Sequence, residues 1–348
     1  MGKRICLIST PMLNTPPDTY GGLEQIVWNL AESLCELGHE VDLVAAIGSR
    51  EPPKGRLIPT VKPAGRVHVD WGEYEREAFM RYKDEILKGD YDVIHDHSWT
   101  LQVYRLRDRL RCPLLHTHHA YWNLPGVPRG KPCLVALSMF HKLALESQTF
   151  PARWEFCYNG IRVEDYPLSR DKEEFLLFLG RIDKIKAPHL AVQIAAASGY
   201  HLVVAGGSFV SDPGYLDAVR RMCYRHGFDF MTDISHEEKI QLLQRAKALL
   251  FTTPPFPYPE PFGMVPVEAM LCGTPVIAFF SGATTEVVLP GESGFLVPSV
   301  EHAVRVIRSG MLEEIDPRKC REWAENFSAR RMAERYLELY GLAEKSPW

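Results

Sequence analysis

Two α/β domains, each built on a parallel sheet, are what this sequence predicts. Short, nearly continuous apolar runs alternate with stretches whose apolar residues recur at helical spacing, the mark of strands covered by helices on both faces. The alternation occurs twice, on either side of a polar stretch without periodicity, "NGIRVEDYPLSRDKEE". A chain of 348 residues also exceeds the roughly 100–200 of a single typical domain. The expected division is 1–160, a linker at 161–174, and 175–319.

The first half opens with the strand "KRICLIST", a loop "PMLNTPPDTYGG" and a helix in which Leu23, Ile26, Val27, Leu30, Leu34 and Leu37 fall on one face. Gly38 stops that helix and "VDLVAA" is the next strand, which makes a βαβ unit. Its strand-to-helix loop is far longer than the usual roughly 2–6 residues, which marks it as a working loop. Further strands are expected at "YDVIHDH", "PLLHTHH" and "CLVALS", with helices over Trp71 to Lys88 and Met139 to Ser147. In the second half the strands are "FLLFLG", "HLVVAGG", "FDFMTDI", "ALLFTT", "PVIAFF" and "GFLV". One of the intervening helices begins with a capping box at Ser235, in "SHEE". The segment 320–348, "CREWAENFSARRMAERYLELYG" and beyond, reads as one long amphipathic helix, expected to reach back onto the first domain. Ligands of open α/β sheets bind outside the carboxyl ends of the strands, so the cleft between the two halves is the expected site.

Composition narrows the partners. Forty basic against 44 acidic side chains give a formal charge of −4, with no basic field to attract nucleic acid. Eight cysteines are scattered without a CxxC pair, as buried thiols of a reducing compartment are. A strand that starts almost at Met1 leaves no room for a signal peptide, and no apolar run approaches the ~20 residues of a membrane span, so a cytoplasmic protein is expected. Peripheral membrane contact stays open.

Several stretches carry residues suited to chemistry. In "FLGRIDKIKAPHLAV", Arg181 and Lys186 follow a strand, and Pro188 suits the first turn of a helix. The pair reads either as a clamp for a diphosphate or as ordinary cations on a solvated loop. In "EPFGMVPVEAMLCGTPVIAFF", Glu260 and Glu268 flank a helix start at which Gly263 lets the backbone approach a ligand and Gly273 is a natural stop. Either the carboxylates merely accompany a helix start, or they take hydroxyl donors while the amides of Phe262, Gly263 and Met264 face oxygen atoms. "TYGGLEQIV" places Gly21 and Gly22 at another helix start, although the chain contains neither GxGxxG nor GxxxxGK[ST]. His95 and His97 share one strand face and His116 and His118 another, but no Cys or paired carboxylate accompanies them, so no metal site is expected. His119 is better placed to hydrogen-bond a substrate. Tyr121 and Trp122 either stack on a ligand or pack locally.

Together these stretches resemble the retaining nucleotide-sugar glycosyltransferases of family 4, which have the two-domain GT-B fold, and in particular the branch that holds the avilamycin-type transferase. Glu260 and Glu268 match the Glu-x7-Glu signature, Arg181 and Lys186 the Arg/Lys pair, Gly21 and Gly22 the N-terminal Gly-Gly loop; "YDVIHDHSW", "LLHTHHA", "YNGI" and "GTPVIAF" also fall where that family has similar segments. The resemblance implies an acceptor-binding N-terminal domain and a nucleotide-sugar-binding C-terminal one. It implies that Arg181 and Lys186 hold the donor diphosphate, that Glu268 binds the ribose hydroxyls, and that Glu260 takes the donor sugar with the amides of Phe262, Gly263 and Met264. Gly22 would approach the phosphates and His119 the sugar. The chain departs from the family at Lys186-Ala187, where Lys-Gly is usual, at "SGATTEVV", and at Thr232, where relatives tend to have Gly.

The expected reaction is retaining transfer from a UDP-, GDP- or ADP-sugar to an acceptor hydroxyl of an unidentified sugar, lipid or small molecule. It would proceed by front-face substitution, with no cofactor and no metal. The rivals are another GT-B sugar-nucleotide enzyme, a synthase or an epimerase, and a nucleotide-sugar-binding protein without turnover.

Overall fold

The strand Arg4–Ile8 (β1) is buried along almost its whole length because helices and neighbouring strands cover both of its faces. In the computed structural model of the chain, residues 2–18, 21–65, 69–120 and 133–348 are described. They form two compact units, 1–160 with 328–348, and 161–327.

In the first unit β1 is followed by α1 (Gly22–Glu36), β2 (Glu40–Ala45), β3 (Leu57–Pro59), α2 (Trp71–Lys88), β4 (Val93–Asp96), β5 (Leu114–Thr117), β6 (Cys133–Ala136), α3 (Met139–Thr149) and β7 (Trp154–Phe156). Among the described residues the sheet runs β3-β2-β1-β4-β5-β6-β7, all parallel. β3 and β7, of three residues each, are too short to leave a periodic signal in the sequence. Asp70 caps α2 by accepting from the Glu73 amide at 3.0 Å, and Gly38, at φ +92°, ends the α1 turn as expected.

The second unit contains β8 (Phe175–Leu179), α4 (Pro188–Ser198), β9 (His201–Gly206), α5 (Pro213–His226), β10 (Asp229–Thr232), α6 (His236–Arg245), β11 (Ala248–Phe251), α7 (Met264–Leu271), β12 (Val276–Phe279), α8 (Thr284–Val287), β13 (Gly294–Val297), α9 (Val300–Arg308) and α10 (Pro317–Ala324). Its parallel sheet has the order β10-β9-β8-β11-β12-β13. The capping box forms at Ser235, and Pro188 opens α4.

Residues 161–174 belong to this unit. They lack periodicity because they are irregular, yet they are pinned: Ser169 N donates to Cys272 O at 3.2 Å, Glu173 N to Arg245 O at 2.7 Å, and Tyr166 is buried.

The C-terminal amphipathic run is two helices, not one. A single 3-10 turn, Glu325–Phe327, follows α10, and Ser328 then caps a fresh helix, α11 (Ala329–Lys345), by accepting from Arg331 N at 3.4 Å. Burial of Phe327 and the capping serine divide a pattern that is amphipathic throughout. α11 packs in the first unit, where a Cβ at Gly160 would lie 2.6 Å from the Ala329 Cα.

Each sheet reverses strand order once near its middle, between β1 and β4 and between β8 and β11. Such switch points splay the loops at the carboxyl edge and open a crevice there. No helix among the described residues is long and apolar enough to cross a membrane.

Candidate active site

The second unit gathers its chemistry at its switch point. The loop after β8 carries Arg181 and Lys186; the loop after β11 carries Glu260 and leads into α7, which carries Glu268. Asp183, which sequence reading passed over, organises the first loop. One carboxylate oxygen accepts from the Lys186 amide at 3.0 Å and the other pairs with Arg181 Nε at 3.2 Å, so a single buried side chain sets both cations. Thr252, at the end of β11, fastens the same loop by donating to the carbonyls of Lys186 and Ala187 at 3.1 and 3.0 Å. Ala187 has φ +50° and ψ +50°, the left-handed conformation that glycine adopts most easily. The departure from Lys-Gly therefore keeps a backbone shape that suits glycine.

Lys186 Nζ forms an ion pair with Glu260 Oε2 and lies 5.6 Å from the centre of the Phe251 ring. Glu260 is clasped from behind: its amide donates to Ser281 Oγ at 3.2 Å and its carbonyl accepts from Ala283 N at 2.9 Å. Gly282 makes that clasp possible, since a Cβ there would sit 2.1 Å from the Glu260 carbonyl oxygen. Within "SGATTEVV" the one glycine thus falls at a close backbone contact.

Gly263, at φ +89°, turns the chain into α7, and no side chain caps that helix start. Phe262 is buried edge-on against Phe327, at 5.7 Å between ring centres, so its side chain anchors the turn. The backbone of Gly263 and Met264 stands at an uncapped, electropositive helix end. Glu268, one turn on, is buried, and its Oε1 accepts from Tyr166 Oη at 2.7 Å and Lys239 Nζ at 3.0 Å. Neither partner gave a signal in the sequence: Tyr166 sat in the expected linker, and Lys239 lies in the helix opened by the capping box at Ser235 without any motif of its own. Thr232 ends β10 beside Asp233, whose carboxylate accepts from Ser208 N at 3.1 Å.

In the first unit, Gly21 and Gly22 differ. A Cβ on Gly21 would meet Leu13 and Pro17 at 2.8 Å, whereas nothing lies within 4 Å of one on Gly22. Gly21 is glycine for packing, and Gly22 leaves open space at the start of α1. His119 is partly buried beyond β5 and its Nε2 is 2.9 Å from His97 Nδ1. Burial first, then His116, His118, His95 and His141, hold the His119 ring well below the ordinary histidine pKa. His95 bonds Tyr340 Oη and Thr117 Oγ1, each at 2.8 Å, and His116 lies 3.2 Å from Asp96. These histidines are brought together, but no group of three or more His, Cys, Asp or Glu among the described residues could hold a metal ion. Tyr121 and Trp122 lie outside the described residues.

Residues 164–327 match the family model of glycosyl transferases group 1, and residues 20–165 that of glycosyltransferase family 4. The chain is a family 4 glycosyltransferase of the GT-B fold. The D-inositol 3-phosphate glycosyltransferase of Kribbella flavida is 28% identical over 359 residues, covering 85% of this chain and 84% of that protein. That of Mycolicibacterium smegmatis is 28% identical over 347 residues, covering 85% and 80%. Among solved structures, AviGT4, a glycosyltransferase involved in avilamycin A biosynthesis, matches with a TM-score of 0.76 at 26% identity, over 99% of this chain and 98% of that one. Sucrose-phosphate synthase from Thermosynechococcus elongatus shares the fold, with a TM-score of 0.81 at 22% identity over 97% and 98% of the two chains.

Proposed function

We propose that this glycosyltransferase transfers a sugar from a nucleoside diphosphate sugar to an acceptor hydroxyl with retention of anomeric configuration and without a divalent metal. The observation that carries the reading is the convergence of Arg181, Lys186, Glu260, Glu268 and the uncapped start of α7 at one switch point. A diphosphate bearing two polyols is a ligand that uses all of them. Lys186 and Arg181 offset the charge that grows on the departing diphosphate, the work a metal ion does elsewhere. Glu260 accepts hydroxyls of the donor sugar, with the amides of Phe262, Gly263 and Met264 beside it. Glu268 accepts the ribose hydroxyls. In the first unit Gly22 leaves room for the phosphates and His119 bonds the sugar.

The bond changes take place on one face of the sugar. The C1–O bond to the diphosphate breaks as the acceptor oxygen bonds C1 from the same side, and the leaving phosphate oxygen receives the acceptor proton. The protein contributes orientation and charge stabilisation. HepE of Anabaena, a chain of this fold at 18% identity, was crystallised with UDP-glucose; the proposed donors here are UDP-, GDP- or ADP-sugars, and the acceptor is a sugar, lipid or small molecule.

The test is a donor screen in EDTA that follows nucleotide release, with the anomeric configuration of the product read by NMR. Release from one donor in EDTA with retained configuration is expected; an inverted product, or turnover only with added metal, overturns the mechanism.

A further inference from the structure

We propose that Tyr166 and Lys239 are positioning residues for the donor nucleotide: they lock the Glu268 carboxylate so that its second oxygen is presented to a ribose diol. The inference rests on the reading that Glu268 binds the ribose.

Tyr166 Oη donates to Glu268 Oε1 at 2.7 Å, Lys239 Nζ donates to the same oxygen at 3.0 Å, and Lys239 Nζ donates to Tyr166 Oη at 2.9 Å. The three side chains close a triangle. Glu268 and Tyr166 are 4% and 5% exposed, so these bonds act where little water competes. Burial, and then the Glu268 charge, push the Tyr166 hydroxyl well above its ordinary pKa, so it stays a donor.

Tyr166 is itself held to the helix it serves. One guanidinium nitrogen of Arg321 donates to the Tyr166 carbonyl at 2.7 Å and to that of Leu271, the last residue of α7, at 2.9 Å. Tyr166 therefore cannot shift along α7 without breaking a charge-assisted bond.

Both donors fall on Oε1, which leaves Oε2 clear of them. A carboxylate without such partners rotates about its last torsion, which is soft and two-fold. A vicinal diol offers two donors at fixed separation, and a fixed oxygen receives them without further loss of freedom. Mere neutralisation of a buried carboxylate would need only Lys239, whereas the closed triangle also fixes the plane of the group.

The two roles separate in one measurement. UDP, GDP and ADP, each beside its 2′,3′-dideoxy counterpart, are titrated calorimetrically into the full chain and into Tyr166→Phe, Lys239→Met, Lys239→Arg and Glu268→Gln. The parent chain is expected to prefer one ribonucleotide over its dideoxy form by about tenfold or more, as loss of hydrogen bonds to a charged group implies. Tyr166→Phe and Lys239→Met are expected to bring that ratio to about threefold or less while binding of the dideoxy form stays unchanged, and Lys239→Arg to keep most of it. A ratio preserved in Tyr166→Phe and Lys239→Met but lost in Glu268→Gln overturns this inference and leaves the ribose reading standing. A ratio preserved in Glu268→Gln, or no binding of any diphosphate to the parent chain, removes the ribose reading and this inference with it. If Tyr166→Phe does not fold, Lys239→Met decides alone.

Discussion

Lys186 is ion-paired with Glu260, and the two side chains are 21% and 8% exposed. A donor bound as proposed shares or replaces this pair, and removing one member strands the other in a poorly hydrated place. Lys186→Ala is expected to lower kcat by about 10²–10³-fold, the usual loss of one charge-stabilising donor. It should also destabilise the fold by about 1–3 kcal/mol, because Glu260 is left unpaired. Adding Glu260→Gln should recover most of the stability and none of the rate. Urea unfolding beside steady-state kinetics separates these effects, and near-normal turnover in Lys186→Ala removes it from the clamp.

The open space at Gly22 supplies a second comparison. A Cβ there meets nothing within 4 Å and Gly22 is exposed at the first position of α1, so Gly22→Leu should leave stability within about 0.5 kcal/mol of the parent. Donor turnover should nevertheless fall at least about tenfold, because the new side chain occupies the room kept for phosphate. A stable variant with full activity would show that Gly22 lines no ligand.

Ala187 tests the left-handed turn behind Lys186. Ala187→Gly relieves roughly 1–2 kcal/mol of backbone strain but gives up a buried methyl and gains unfolded-state freedom, each about 0.5–1 kcal/mol, so stability should move by less than about 1 kcal/mol. Ala187→Val, β-branched in the same conformation, should lose at least about 2 kcal/mol. Thermal unfolding of the two variants measures the difference directly.

The buried histidines give the protein a pH dependence of known sign. His95, His97 and His119 are held well below the ordinary value of 6.5 chiefly by burial, and His141 is lowered to about 4 by the same cause. Below pH 6.5 the unfolded chain takes up protons that the folded one refuses, so stability falls as the pH drops. Glu24, raised to about 7 by burial, acts the other way, as does Glu75, whose pKa burial also raises. Four histidines outweigh two carboxylates, so stability should decline as the pH falls from 6 to 5. Urea midpoints across this range check it; a flat profile would mean that the histidines are protonated in the folded state.

Most strands, the capping box and the presence of two successive parallel sheets were legible because apolar runs and capping residues are local signals, whereas β3 and β7 are too short to show. Arg181, Lys186, Glu260 and Glu268 could be placed beside a strand end or a helix start for the same reason, but the residues alone fitted a solvated loop and a plain helix start at least as well, and their proposed roles come from the family resemblance. Most of what escaped depends on contacts distant in sequence: Thr252 reaches Ala187 across 65 positions and Tyr166 reaches Glu268 across 102. Asp183 escaped although its partners are neighbours, because one more charge in a charged loop carries no distinct signal. The break at Ser328 escaped because a cap inside a continuous amphipathic pattern looks like one more polar position.

The helix α11 has a consequence for how the protein is made. Its Tyr340 and Tyr336 bond His95 and Thr117, which are themselves fully buried in the first unit. These partners leave the ribosome only after the whole second unit, although the sheet they complete is synthesised before it. Until then His95 and Thr117 lack the tyrosine hydroxyls they bond, and the face of the sheet that α11 covers stays exposed. The nascent chain must carry an unfinished domain through translation of the whole second unit, so a premature stop before α11 spoils the first unit rather than the second.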